Sequence, residues 1–245
     1  MNAVVFFFSC SGILLLSLKS ESPIPNATKT IEEIPLPDGY ERTPAQENSF
    51  GKYLRQLPLK NDRTVYLYNG KPKINQSAQY AVLDVSVGNK DLQQCADAVM
   101  RLRAEYLKEQ NKPICFADNN RKKYCWEQYK QRGWQGYLDI VFGMCGTASL
   151  EKELKAKNWH LLAAGDVLIK GGSPGHAVIV LDIARHRRTG EIIYLLAQSY
   201  MPAQDIHVLK NTSNKTLSPW YSASSVNSIT TPEWTFYESQ LRSWP

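Results

Sequence analysis

Two residues in this chain have the types and setting for nucleophilic chemistry. They are Cys95, near the start of a predicted helix, and His176, at the start of a predicted strand. A thiol attacks only as thiolate, so it needs a lowered pKa or a nearby base. A helix N-terminus supplies a favourable dipole and an imidazole supplies the base. Gln93 or Gln94, just before Cys95, carries an amide that could donate to an oxyanion. His176 follows the loop Gly171-Gly-Ser-Pro-Gly175 and opens the apolar run Ala177 to Ala184. A hairpin centred on Arg187 and Arg188 brings His176 opposite Ser199, with Gln198 and Tyr200 adjacent. Gln198 is then the candidate to orient the imidazole, completing a Cys-His-polar set. Asp182 is an even number of residues from His176 and is predicted to share its face. Gly175 and Tyr200 join Gln94 as candidate oxyanion or substrate-binding positions.

Each of these residues also has a bland reading. Cys95 falls on the apolar stripe of its own helix with Leu92 and Val99, where buried free cysteines are common. His176 can be a hydrogen-bonded histidine at a strand end. Cys145, in Met144-Cys145-Gly146-Thr147, is a second thiol. It follows a helical run, where the dipole disfavours a thiolate. The histidines at 160, 176, 186 and 207 are dispersed and form no His-x-x-x-His pair, so no metal site is expected. No cofactor is expected either.

The elements that must position these groups are legible in outline. Leu92, Cys95, Val99, Leu102 and Tyr106 recur at helical spacing, with Asn89 or Asp91 as cap and a stop near Asn111-Lys112-Pro113. A short helix is predicted over Ser49 to Arg55, and strands over Thr64 to Tyr68 and Tyr80 to Val85. Residues Cys115 to Gly136 are polar and aromatic and are expected to form a loop. Tyr137 to Met144 is expected to be helical, and Ser149 begins another amphipathic run. The last third reads as β, with Ala177 to Ala184 central because both its faces are apolar. Trp126, Trp134 and Tyr200 are expected to line one groove. Pro219-Trp220-Tyr221 and Pro232-Glu233-Trp234 are expected to anchor the C-terminal segment.

Bulk composition narrows the class. The chain has 245 residues, 43% hydrophobic and 21% charged, within the range of one globular domain. Its net charge is +6, but the basic residues are scattered and no recognition motif accompanies them, so no nucleic-acid partner is expected. Residues Ala3 to Leu18 are almost wholly apolar, yet fall short of the about 20 residues of a membrane span. They read as the core of an export signal, with an uncleaved anchor as the rival. Residues 1–20 are thus assigned to a signal or anchor, 21–47 to a linker or surface arm, and 48–245 to a single domain. In an oxidising compartment Cys115 and Cys125 are the expected disulfide. A monomer is expected.

These residues also carry a resemblance. The runs Gln94-Cys95 to Leu107, Gly146 to Leu150, Gly165-Asp166 with Gly171 to Val180, and Leu196 to Gln204 resemble the bacterial domain of unknown function numbered 4846. The resemblance spans about Leu36 to Trp244 and implies an exported or lipid-anchored bacterial protein without an established activity. It departs from the pattern between Cys115 and Gly136. More loosely, Gly165-Asp166-Val-Leu followed by Gly175-His176-Ala-Val-Ile-Val is similar to the His-strand block of NlpC-type and papain-like cysteine peptidases and amidases. The usual Asp-Cys-Ser/Gly motif is missing.

Together these readings predict an α+β domain, with N-terminal helices packed on an antiparallel sheet in a papain-like or NlpC-like arrangement. The expected function is an exported cysteine hydrolase, an amidase or peptidase. Peptidoglycan or another envelope component is its expected partner, in the periplasm or cell envelope. The alternative is a non-catalytic envelope protein that binds or has a structural role.

Overall fold

The computed structural model describes residues 1, 30–224 and 227–245. The expected export segment, apart from Met1, therefore lies outside the described residues. In chain order the strands are β1 (Tyr40–Arg42), β2 (Gln79–Val82), β3 (Cys115–Ala117), β4 (Lys123–Cys125), β5 (Lys155–Ala156), β6 (Val167–Lys170) and β7 (His176–His186). They continue with β8 (Ile192–Gln198), β9 (His207–Leu209), β10 (Tyr221–Ser222), β11 (Ser228–Thr230), β12 (Thr235–Tyr237) and β13 (Leu241–Ser243). The helices are α1 (Phe50–Arg55), α2 (Cys95–Glu109), α3 (Trp126–Tyr129), α4 (Gly133–Met144) and α5 (Thr147–Glu153).

The main sheet runs β2-β9-β8-β7-β6-β13-β5, with β1 also on β7 and β10 also on β8. Its strand pairs are antiparallel. Helices cover one face and short strands the other, which makes the fold α+β. On the helix side Ala177, Ile179 and Leu181 of β7 join Val99, Met100 and Leu102 of α2 in one core. On the far side Val178, Val180 and Leu196 pack with Phe236 and Leu241 in a second core. With both faces buried, β7 alternates into two apolar layers, as its continuous hydrophobic run predicts.

A β-bulge at Leu181 breaks the regular alternation. The β7–β8 register is Val180 opposite Leu196, then Asp182 opposite Leu195, so Leu181 is the extra residue. This corrects two sequence expectations. Ile179 pairs with Ala197, so the strand start at His176 aligns toward Tyr200 rather than Ser199. Asp182, despite its even spacing, turns to the helix side. There it meets Arg55 at 2.5 Å and Arg42 at 2.7 Å.

Residues 30–47 are an arm that completes the fold. Ile31 and Ile34 are fully buried, and β1 pairs with the far end of β7. The stretch expected as a loop from Cys115 to Gly136 is structured. The strands β3 and β4 form a hairpin closed by the Cys115–Cys125 disulfide, and α3 and the start of α4 follow. No described helix is long and apolar enough to cross a membrane.

Candidate functional site

A cleft of about 390 Å³ opens at the end of the sheet where β7 begins. Its walls are the N-terminus of α2, the α4–α5 turn, the β6–β7 loop and the residues after β8. Cys95 and His176 both line it.

Cys95 is the first residue of α2, with Gln94 rather than Asn89 or Asp91 at the cap. Asp97 fixes this start by accepting from the Gln94 backbone N–H at 3.0 Å. Burial, then the neighbouring Asp97, push the Cys95 thiol up to about 11. The backbone N–H groups of Ala96, Ala177 and Cys95 itself act in the other direction. The sulfur therefore sits against the peptide joining His176 to Ala177. Among the described residues it makes no hydrogen bond to the imidazole. Burial holds the Asp97 carboxyl well above the usual carboxylate range, and its Oδ1 has no hydrogen-bond partner.

His176 reaches the cleft from the other side of the sheet. Its ring lies 4.9 Å from that of Tyr200, 5.4 Å from Trp234 and 5.8 Å from Phe236. Its Nε2 is 2.8 Å from Gln198 Oε1. The bulge makes this contact possible. A regular ladder continued from Arg185 opposite Ile192 would set His176 opposite Met201 and turn Gln198 to the other face. Gln198 Nε2 donates to Glu233 Oε2 in a short hydrogen bond. Glu233 Oε1 in turn binds Lys73 Nζ at 2.5 Å. His207, fully buried on β9, lies 3.5 Å from the Gln198 amide nitrogen. Burial pushes His176 down to about 4, although the Gln198 hydrogen bond and the Glu233 charge pull upward. At neutral pH the cleft is therefore lined by a thiol and a neutral imidazole.

The sequence brought Cys95, His176, Gln198, Gln94, Gly175 and Tyr200 into one proposed site. All but Gln198 line the cleft, and Gln198 stands directly behind His176. A side chain at Gly175 would meet Gly172 O at 2.3 Å and Thr147 Oγ1 at 2.6 Å, so only glycine lets the β6–β7 loop close here. Gln94 Nε2 turns toward Asp91 Oδ1 at 3.4 Å. Cys145 caps the C-terminal end of α4 and also lines the cleft, but burial pushes its thiol up to about 12. The groove expected from Trp126, Trp134 and Tyr200 does not form. Trp126 and Trp134 pack on each other at 5.3 Å, away from the cleft, and Lys108 sits over Trp134. Trp234 takes the aromatic place beside Tyr200.

Four contributors went unread in the sequence: Lys73, Asp97, His207 and Glu233. Asp97 carried a usable signal as an acidic residue in the first turn of a helix. Glu233 was visible only as part of an aromatic anchor. Lys73 and His207 have no local signature, because their roles come from chain segments far apart. No group of three or more His, Cys, Asp or Glu side chains suited to a metal ion occurs among the described residues.

A family model described as Domain of unknown function (4846) matches residues 31–135 and 120–243. No curated protein and no solved structure matches the chain.

Proposed function

The chain belongs to that family, and we propose that it is an exported thiol amidase or peptidase acting on amide bonds of cell-wall peptides. In this reading Cys95, His176 and Gln198 form a Cys-His-polar triad in a papain-like arrangement. The Cys95 sulfur attacks the amide carbon and its proton passes to His176 Nδ1, the nitrogen that Gln198 leaves free. The carbonyl π pair moves onto oxygen. Backbone N–H groups at the start of α2, or Gln94, steady that oxyanion. The C–N bond then breaks as His176 returns the proton to the leaving amine. Water, losing a proton to His176, cleaves the thioester and restores the thiol. The sum is amide plus water giving acid plus amine. The protein works as a monomer in the periplasm or envelope, with an N-terminal signal or anchor and no cofactor.

One observation carries this reading. A cysteine at the first position of a helix and a histidine hydrogen-bonded to a buried glutamine line the same cleft. The test is digestion of purified peptidoglycan, with mass spectrometry of the released fragments. Wild type should create new amine and carboxyl ends that Cys95→Ala does not. Identical fragments from both would sink the proposal.

A second reading, a non-catalytic envelope binder, is favoured by the protonation states. A thiol at about 11 and an imidazole at about 4 in one cleft are no preformed ion pair. Retention of peptidoglycan fragments without cleavage, abolished by Tyr200→Ala, would be its signature.

A further inference from the structure

We infer that Glu233 is a positioning residue: through the amide of Gln198 it selects the tautomer of His176 that keeps Nδ1 free as a base. This rests on the hydrolase reading for its purpose, though not for its geometry.

The argument is one of donors and acceptors. A carboxylate only accepts hydrogen bonds, and an ammonium only donates. Lys73 Nζ holds Glu233 Oε1 at 2.5 Å. Glu233 Oε2 is therefore an acceptor turned toward Gln198, and the Gln198 amide must offer it the NH2 end. That choice turns Gln198 Oε1 toward His176 Nε2, 2.8 Å away. A carbonyl oxygen also only accepts, so Nε2 must carry the ring hydrogen. A neutral imidazole has one N–H, so Nδ1 keeps its lone pair.

His207 agrees with this assignment. Its Nδ1 faces the Asp205 backbone carbonyl at 3.0 Å and must carry the hydrogen. Its Nε2 is then an acceptor, facing the second hydrogen of the same Gln198 amide at 3.5 Å. Each link in the chain Lys73–Glu233–Gln198–His176 pairs a donor with an acceptor. Flipping the Gln198 amide would set its oxygen against a carboxylate and its NH2 against His176. The imidazole would then hold its hydrogen on Nδ1, the nitrogen needed to take a proton from the thiol. Gln198 and His176 are each 1% exposed, so no solvent is at hand to relieve such a mismatch.

The test is a two-bond proton–nitrogen correlation spectrum of the full chain with 15N-labelled histidine. In wild type, His176 should show a protonated Nε2 and a bare Nδ1, with the opposite pattern at His207. In Glu233→Gln the Lys73 ammonium holds the amide oxygen and the NH2 end faces Gln198, so Gln198 should turn over and His176 should carry its hydrogen mainly on Nδ1. His207, held by a backbone carbonyl, should not change, which reports an intact fold. If Glu233→Gln does not give that His207 signal, Glu233→Ala takes its place. A hydrogen on Nδ1 of His176 in wild type overturns the inference. So does an unchanged His176 tautomer in the folded variant. Where hydrolysis is measurable, Glu233→Gln should lower kcat at least about tenfold with KM unchanged. A wild-type protein with the expected tautomer and no hydrolysis would end the hydrolase reading alone.

Discussion

With its thiol at about 11, Cys95 is almost wholly protonated at neutral pH. The two-unit rise from the ordinary 9.0 leaves about 100-fold less thiolate than in an ordinary cysteine. Alkylation of the Cys95 peptide by iodoacetamide, read by mass spectrometry, should rise about tenfold per pH unit up to about 11. A plateau near neutrality would mean a preformed thiolate instead. A different residue carries stability. Asp182 is fully buried between Arg42 and Arg55. Asp182→Ala leaves two guanidinium groups without their carboxylate, and should lower the unfolding free energy by about 3–5 kcal/mol in a denaturant titration. A loss under about 1 kcal/mol would show that the arginines find other partners.

Among the elements, β7 carries the most. Its start presents His176 and its far end pairs with β1. The β6–β7 loop ends at Gly175, whose added Cβ would also meet Lys170 O at 2.8 Å. Gly175→Ala must therefore push the loop off Thr147 or displace the start of β7. On the proposed hydrolase reading, Cys95-dependent amide hydrolysis should fall at least about tenfold, with a loss of about 1–3 kcal/mol in stability. Unchanged activity and stability would mean that the loop yields freely. Strand β7 and helix α2 were legible because an apolar run and an apolar stripe are local patterns. The bulge was not. Counting residues from the Arg187–Arg188 turn assumes a regular ladder, and nothing around Leu181 marks an insertion. The count therefore named the right partner, Gln198, while setting Asp182 on the wrong face. The β3–β4 hairpin was missed because each strand is three residues long. Its disulfide was the only sequence signal.

For the molecule as a whole, two buried histidines weaken the fold as the pH falls. His176 and His207 each lie near 4, against an ordinary 6.5. The unfolded chain takes up their protons first. Between about 6.5 and 4 it binds more protons than the folded protein, so stability falls as the pH falls. Each contributes on the order of 3 kcal/mol over that window. Asp97, with its raised carboxyl, opposes them by holding a proton in the folded state. His207→Asn should therefore lose less unfolding free energy than wild type between about pH 7 and about pH 4.5. Equal losses would exclude His207 as a contributor. The half of the site that escaped sequence reading belongs to this scale. Lys73 and Glu233 meet across 160 positions of chain, and no local pattern announces such a pair. That span also imposes an order in time. A chain made from its N-terminus carries the thiol of Cys95 early and the imidazole of His176 later. The Gln198 amide that holds His176 meets its carboxylate only once the segment around residue 233 has emerged and docked. A chain stopped after Thr230 would hold Cys95, His176 and Gln198 without the carboxylate that accepts from the Gln198 amide.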